Sequence, residues 1–345
     1  MDEIGDYFFE NNSTDLTSIL SDPDFLYVKR AADIADYFLY GLSFASITAN
    51  LLVLHVSFTL YKKTQQPVHL LVFSLTFADS LTCTMHQLYV ILGRFTTSQS
   101  GFLLSAQMSL TWVGYSASGF SLCLLNVEKF FFFHYPLHYH SYVTRKSTLS
   151  CVAFCWALCV VYACTLLFWA TSNCGKEFCL LPDETMFFWY VLLFSVLPVL
   201  SSALLSTYLW FIVQSIRRKS YNVPATTTAT TNGRKTKSNI FIFIVTAWVA
   251  ISWLPARGHY LFLLSDASLW AAWFGLIANY VLVLSPMINP LLTTLVDPNY
   301  RNYTKKLFSS FYSHYKRGLS KKELGSKHVV YTSVGSNMEG KIQIF

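Results

Sequence analysis

Seven long apolar segments, separated by short polar gaps, constrain this chain more than any other feature of its sequence. They cover roughly residues 37–61, 68–92, 102–133, 148–170, 186–213, 239–264 and 269–295. A bilayer core of about 30 Å requires about 20 apolar residues as a helix, because a helix satisfies its own backbone hydrogen bonds there. A membrane β-barrel would instead show alternating segments of about ten residues. The sequence therefore predicts an all-α protein, a seven-transmembrane helix bundle.

The parts of the chain outside the bundle, which we place at 37–296, differ from one another in character. Residues 1–36 form an acidic tail without the basic and apolar stretches of a cleavable signal, so the first helix is expected to direct its own insertion. Residues 297–317 predict an amphipathic helix on the inner membrane surface. Its apolar face consists of Tyr300, Tyr303, Leu307, Phe308 and Phe311. The last segment, 318–345, is polar and is predicted to be disordered.

Lysine and arginine are concentrated in alternate gaps, which predicts the orientation of the chain. They lie in gaps one, three and five and in the C-terminal tail, for example at Lys62, Arg145, Arg217 and Lys305. Because cytoplasmic loops are enriched in these residues, we expect a multi-pass protein of the plasma membrane with its N-terminus outside the cell. The net charge of +7 then describes a basic inner rim that attracts anionic membrane lipid, and it does not indicate a nucleic-acid-binding protein.

Two modifications are predicted on the outer side. Overlapping N-glycosylation sequons begin at Asn11 and Asn12 in the N-terminal tail. Cys174 and Cys179 fall in an outer loop, where the oxidising compartment favours a disulfide between them. The other cysteines fall within the predicted helices.

Polar residues and prolines occupy a characteristic place in nearly every apolar segment. They are Asn50 in the first, Asp79 in the second, Trp156 in the fourth, Pro198 in the fifth, Ser252-Trp253-Leu254-Pro255 in the sixth and Asn289-Pro290 in the seventh. In this order they resemble the class A (rhodopsin-like) G-protein-coupled receptors, and the resemblance covers about residues 35–315. It implies a receptor without enzymatic activity that transduces an extracellular ligand to heterotrimeric G proteins and arrestin.

Asp79 is a carboxylate in the middle of a membrane helix, where it requires polar partners or a proton. The resemblance places Ser118, Ser285 and Asn289 with it at the positions that hold a sodium ion in the family. The alternative is a neutral Asp79 that hydrogen-bonds to Asn50 and Asn289. Apart from this sodium ion, no cofactor is expected.

The inner end of helix three departs from the family pattern. Glu128-Lys129-Phe130 occupies the place of the family's Asp-Arg-Tyr motif, so that Glu128 and Lys129 are the residues expected to act in G-protein coupling. A lysine offers charge without the planar fork of arginine. The inner end of helix six has Lys235 and Lys237 and no acidic residue, so the usual resting lock between helices three and six is missing.

The resemblance also implies a ligand pocket in the outer half of the bundle. Its predicted lining is Tyr89, Gln107, Thr111, Tyr115, Trp253, Arg257, Tyr260 and Asn279. Thr111 stands where monoamine receptors have an aspartate, which argues against an amine ligand. Val283 stands where opsins carry the retinal-binding lysine, and helix seven contains no lysine, which excludes a Schiff base to retinal.

Arg257 is the most informative residue of this pocket, because it lies about one turn outward of Trp253 and well inside helix six. A guanidinium there could pair with the carboxylate or phosphate of a ligand. It could also extend to the outer interface, or pair with acidic residues of the loop above, which are Glu177, Asp183 and Glu184. We favour a small acidic lipid or a peptide as the ligand.

The altered motifs leave a second hypothesis open, a receptor relative that acts as a scaffold or decoy without G-protein exchange. A transporter or channel is the third and weakest, because it would need a continuous polar path and Asp79 and Arg257 are isolated. Short matches, such as Tyr142-Val143-Thr144-Arg145 before helix four and the paired outer-loop cysteines, are similar to the cannabinoid, lysophospholipid and melanocortin receptors.

Overall fold

Long helices make up almost all of the computed structural model, which describes residues 23–95, 101–174, 188–221, 229–263, 268–310, 312–313 and 315–316. The bundle helices are α1 (Pro23–Thr64), α2 (Pro67–Phe95), α3 (Gly101–His134), α4 (Arg145–Cys174), α5 (a π-helical stretch Val191–Val196 followed by Leu197–Tyr221), α6 (Ala229–Gly258, continued by the π-helical stretch His259–Leu263) and α7 (Leu269–Val296). A one-turn helix, Tyr139–Tyr142, lies between α3 and α4. No strand occurs in the described residues. The predicted all-α fold is confirmed.

The bundle encloses α3 and leaves one side of α4 facing outward. Between 111 and 133 no residue of α3 is exposed. In α4, by contrast, the large apolar side chains of Leu149, Phe154, Val161 and Phe168 are exposed. In a membrane protein such a surface faces lipid, whereas a helix surrounded by other helices can carry serine, asparagine and glutamine without exposing them to hydrocarbon. The polar residues of α3 are thus consistent with its central place.

Among the described residues, five helical segments are long and apolar enough to cross a membrane. They are Leu26–Thr64, Pro67–Leu88, Arg145–Phe168, Phe188–Ser215 and Leu269–Val296. Of the seven predicted segments, those of α3 and α6 do not pass this test within the described residues. The serines of α3 lower its mean hydropathy, and the side chains of the first part of α6, residues 229–241, are not described.

The helical hydrogen bonding of α5, α6 and α7 is irregular near their prolines, as expected for residues that cannot donate a backbone hydrogen bond. The π-helical stretch of α5 ends just before Pro198, and that of α6 follows Pro255. In α7, Pro290 cannot donate to the carbonyl of Pro286. The side-chain amide of Asn50 donates to that oxygen instead, at 3.2 Å, and so joins α1 to α7.

Two helices begin earlier in the chain than the apolar segments alone indicate. Helix α1 starts at Pro23, and the hydroxyl of Tyr280 in α7 lies 2.7 Å from Asp36 Oδ1 and 2.9 Å from the carbonyl oxygen of Ala32. We name the end of the bundle at which α1 begins the outer end, after the predicted orientation, and the opposite end the inner end. The shared hydrogen bond of Tyr280 anchors the outer extension of α1. Helix α6 starts at Ala229 and runs through Gly233, where the sequence predicts a flexible loop. Adding residues to an existing helix costs little once it is nucleated.

The described residues from Asn299 onward belong to a second compact unit. They are helical over 299–310, at 312–313 and at 315–316, within the predicted amphipathic segment. Arg301, Lys305 and Lys306 are exposed, and Leu307 is half-buried.

Candidate ligand-binding and signalling site

A polar cluster surrounds Asp79 in the middle of the bundle. Ser118 of α3 donates to Asp79 Oδ1 at 2.7 Å, and Asn289 of α7 donates to Oδ2 at 2.8 Å. Asp79 is 1 % exposed, so these two neutral donors, together with the helices that carry them, replace the water that a carboxylate would otherwise require. The structure thus brings together three of the four residues predicted for the sodium site.

Ser285, the fourth of these residues, is also buried, and its hydroxyl has no hydrogen-bond partner among the described residues. The same holds for Asn289 Oδ1. Ser285 Oγ and Asn289 Oδ1 are thus oxygen acceptors without a partner in the described part of the chain, and oxygen ligands are what a hard cation binds. Asn50 does not donate to Asp79, contrary to the alternative arrangement; its amide donates to Pro286 and to Ser46 within its own helix.

The outer half of the bundle contains a buried arginine between two tyrosines. Arg257 of α6 is 5 % exposed. Its guanidinium carbon lies 5.6 Å from the ring centroid of Tyr115 and 5.8 Å from that of Tyr260. Tyr115 in turn meets Trp253 edge to face, with centroids 5.5 Å apart. Four of the predicted residues of α3 and α6 therefore form one connected group, which consists of Tyr115, Trp253, Arg257 and Tyr260.

Arg257 has no carboxylate partner among the described residues, and its Nε has no hydrogen-bond acceptor there. Cation–π contacts supply about 0.5–2 kcal/mol each, whereas the effective cost of removing an ion from water is several kcal/mol. The two tyrosines thus offset only part of the cost of burying this charge. The loop acids Glu177, Asp183 and Glu184 lie outside the described residues.

The other predicted pocket residues form hydrogen bonds with neighbouring helices or within their own helix. Asn279 of α7 accepts a hydrogen bond from the Tyr260 hydroxyl at 3.1 Å. Gln107 of α3 donates to the carbonyl of Met85 in α2 at 2.8 Å, and its own Oε1 is buried without a partner in the described part of the chain. Thr111 donates to the backbone of Gln107. Tyr89 lies on α2, but its side chain is not among those described.

At the inner end of α3, Glu128 has two partners. Lys129 Nζ lies 2.9 Å from Glu128 Oε2, so the two residues form an ion pair. The geometry of this contact does not meet the criteria of a hydrogen bond. The hydroxyl of Tyr139, in the one-turn helix after α3, donates to Oε1 at 2.5 Å. Partial burial and the negative charge of Glu128 raise the pKa of Tyr139, so that this hydroxyl remains a donor at physiological pH.

The sequence alone did not reveal two contacts at the inner side. One is the bond of Tyr139 to Glu128; the other is a hydrogen bond from Asn126 of α3 to Thr246 of α6, at 3.0 Å. An asparagine in the apolar run Leu124-Leu125-Asn126-Val127 is a usable signal, because a buried amide in a membrane helix requires a partner. The identity of that partner is not visible in the sequence.

The predicted modifications fall where the structure gives no description. Asn11, Asn12 and Cys179 lie outside the described residues, and Cys174 ends α4 with its side chain outside them. The glycosylation and the Cys174–Cys179 disulfide remain predictions.

A bundle of long helices, most of them apolar enough to cross a membrane, with a polar cluster at its centre, is the architecture of a multi-pass membrane protein. The family model of the seven-transmembrane receptors (rhodopsin family) matches residues 49–292. The chain belongs to this family, and is thus a class A signalling receptor.

Similar proteins are themselves receptors, at low identity. The G-protein coupled receptor aex-2 of Caenorhabditis elegans is 24 % identical over 308 residues, which are 86 % of this chain and 89 % of that protein. Cannabinoid receptor 2 of Mus musculus is 26 % identical over 265 residues, 72 % of this chain and 74 % of that receptor. The Rattus norvegicus protein of the same name is 27 % identical, over 72 % and 71 % of the two chains.

Proposed function

We propose that this receptor binds an extracellular ligand with an anionic group and transmits that binding to a heterotrimeric G protein. The observation that carries the proposal is Arg257, a buried cation in the outer half of the bundle without an anion among the described residues. A ligand carboxylate or phosphate would supply the missing charge and accept the hydrogen bonds of the guanidinium. The N-terminus is outside the cell in this account, and the receptor lies in the plasma membrane.

An acidic lipid fits the surroundings of Arg257 better than a peptide. Tyr115, Trp253 and Tyr260 give the group aromatic walls, and ligand sites between helices combine such walls with few polar groups. Two of the similar proteins carry the name of cannabinoid receptors, which supports an apolar ligand. A peptide with an acidic side chain or C-terminus is the alternative ligand. The name of the relative from Caenorhabditis elegans mentions no ligand and therefore favours neither the lipid nor the peptide.

A sodium ion at Asp79 would be bound by Asp79, Ser118, Ser285 and Asn289, since the last two offer oxygens without a partner. In this proposal the ion stabilises the resting receptor. Sodium chloride should then weaken ligand binding relative to choline chloride, and Asp79→Asn should remove the difference. An equal effect of both salts on the unmodified receptor would exclude the ion.

On the inner side, Lys129 is the cation that faces the transducer, and its ion pair with Glu128 must loosen for Lys129 to make new contacts. Arrestin is the second expected partner, recruited after phosphorylation of serines in the C-terminal tail, where added charge creates new binding groups. A non-coupling relative would bind ligand on the outer side and produce no exchange, because lysine replaces arginine at this position.

The test uses the full-length receptor in membranes and measures nucleotide exchange on a panel of purified G proteins. The probes are single-chain lipids with a carboxylate or phosphate headgroup, each matched with its neutral methyl ester or alcohol. Arg257→Gln removes the charge, and Arg257→Lys retains it. Arg30→Gln is the matched control, because Arg30 is exposed on the outer part of α1.

We expect an acidic probe to stimulate exchange, its neutral analogue to be much weaker, and Arg257→Gln to lose the response while Arg30→Gln retains it. A response that Arg257→Gln leaves intact would contradict the ligand proposal. Binding of an acidic probe without exchange on any G protein would contradict the coupling proposal and favour the decoy.

A further inference from the structure

The inner halves of α3 and α6 are joined by a polar contact in an otherwise apolar interior. The side-chain amide of Asn126 donates to Thr246 Oγ1 at 3.0 Å and, with its second hydrogen, to the carbonyl of Leu122 at 3.1 Å. Asn126 is 0 % exposed and Thr246 1 %. Both groups are therefore enclosed in the bundle, and neither can exchange its partner for water while α3 and α6 remain together.

We propose that the Asn126–Thr246 hydrogen bond is the latch that holds α6 against α3 in the resting receptor. The inner end of α6 carries Lys235 and Lys237 and no acidic residue, so an ion pair with Lys129 is not available there. Lys129 is paired with its neighbour Glu128 instead. Counted along α6, the neutral bond between Asn126 and Thr246 lies about two and a half to three turns further into the bundle than Lys237 and Lys235, and it replaces the ionic contact. This inference rests on the proposed coupling to a transducer.

The latch lies at a position from which it can control the inner end of α6. Thr246 is nine residues before Pro255, roughly 13 Å along the helix axis, and Pro255 interrupts the backbone bonding of α6. A rotation of the segment before Pro255 would therefore carry Thr246 away from Asn126. Closer to the inner end, α6 contacts α5 through the stacked rings of Phe243 and Trp210, whose centroids are 4.6 Å apart.

A small cavity lies beside the latch, on its inner side. It is lined by Asn126 and Lys129 of α3, Ser206 and Trp210 of α5, and Ile242 and Phe243 of α6, among others. Asn126 Oδ1 has no hydrogen-bond partner among the described residues. A space between α3, α5 and α6 is thus already present, and movement of α6 away from α3 would enlarge it. Asn126 lines this space, so the bond between Asn126 and Thr246 lies next to it.

The test measures the position of α6 directly, independently of any G protein. A trifluoromethyl-phenylalanine replaces Phe241 at the inner part of α6, and fluorine NMR of the full receptor in nanodiscs gives the populations of resting and open α6. The variants are Asn126→Ala, Thr246→Val and the double variant. Thr246→Ser retains the hydroxyl. Thr76→Val is the matched control, because Thr76 is equally buried and its hydroxyl donates to its own helix at Val72.

We expect Asn126→Ala and Thr246→Val each to raise the open population roughly three- to tenfold, the effect of losing one buried hydrogen bond. The double variant should add little, since each single change removes the same bond. Thr246→Ser and Thr76→Val should resemble the unmodified receptor. Basal nucleotide exchange should rise in parallel with the open population.

The inference is overturned if Thr246→Val leaves the open population unchanged, or if Thr246→Ser opens α6 as much as Thr246→Val does, since packing and not the hydroxyl would then be responsible. If α6 opens in the latch variants and no G protein responds, the latch stands and the proposed coupling fails. The two proposals are thereby tested separately.

Discussion

Two cations occupy the two ends of the same bundle, and their surroundings are opposite. Arg257, in the outer half, is buried between Tyr115 and Tyr260 and has no carboxylate among the described residues. Lys129, in the inner half, lies 2.9 Å from the carboxylate of the residue before it, and that carboxylate also accepts a bond from Tyr139. The inner cation has its counter-ion within the chain, whereas the outer cation lacks one in the described part.

The difference indicates the kind of work that each end performs. A buried charge without a counter-ion is an unstable arrangement that an external anion can complete. A charge that already has a counter-ion gains less from a new contact, and a new contact that replaces the old one requires a change of conformation. In the proposed function, the outer end therefore carries recognition and the inner end carries switching.

The largest expected effect is the loss of anion binding in Arg257→Gln. Charge-assisted hydrogen bonds contribute about 1.5–3 kcal/mol, so affinity for an acidic ligand should fall roughly 10- to 150-fold. Radioligand or fluorescent-lipid binding measures it. Arg257→Lys should retain part of the affinity because it keeps the charge but not the fork. Equal affinities in all three receptors would remove the distinction between the two cations.

The next effect concerns the inner cation. Lys129→Arg supplies the planar donor fork that the lysine lacks, and ligand-stimulated nucleotide exchange should rise by roughly three- to tenfold, the equivalent of one additional hydrogen bond. Lys129→Ala should lower it. If neither variant alters a robust signal, Lys129 is not the residue that contacts the transducer, and the inner end does not switch through this cation.

A smaller effect is expected from Tyr139→Phe, which removes one donor from Glu128 and retains the ring. The loss of this partly exposed hydrogen bond should weaken the resting arrangement by about 1 kcal/mol, and basal exchange should rise several-fold, as measured without ligand. Tyr142→Phe, an exposed tyrosine of the same one-turn helix, is the control. Identical basal rates in both variants would show that Glu128 depends on Lys129 alone.

The smallest effect concerns Tyr260, one of the two tyrosines beside Arg257. Tyr260→Phe keeps the ring over the guanidinium but loses the bond to Asn279, which should cost about 1 kcal/mol and reduce affinity for the acidic ligand about fivefold. Asn279→Ala should produce a similar reduction. The affinity of the neutral analogue should fall by the same factor in each variant. A selective loss for the acid alone would mean that Tyr260 contacts the anion directly.

The helices and the centre of the bundle could be predicted from the sequence, because they depend on residues whose type is informative by itself. Asp79 and Asn289 are costly in a membrane, so their mutual contact could be anticipated. The bond of Asn50 to the Pro286 carbonyl could not, since it depends on which backbone oxygen Pro290 leaves free and on how α1 meets α7. The same limit applies to Asn126. The sequence shows that this buried amide requires a hydrogen-bond partner, but only the packing of α3 against α6 determines that the partner is Thr246.

The ends of the helices could not be predicted from the sequence either. Hydropathy marks the part of a helix that crosses the membrane, and α1 extends outward from it because Tyr280 bonds to Ala32 and Asp36. The beginning of α6 at Ala229 contradicts the low helix propensity of threonine and glycine. Such extensions are determined by contacts and by helix propagation, neither of which a hydropathy pattern records.

The most direct test of the account is the affinity ratio between an activating acidic lipid and its neutral methyl ester, measured on the unmodified receptor and on Arg257→Gln. The unmodified receptor should prefer the acid by at least tenfold, and this preference should disappear in Arg257→Gln, while the affinity for the ester changes little. A preference for the acid that is the same in both receptors would show that the anion binds elsewhere, and it would contradict the role assigned to Arg257.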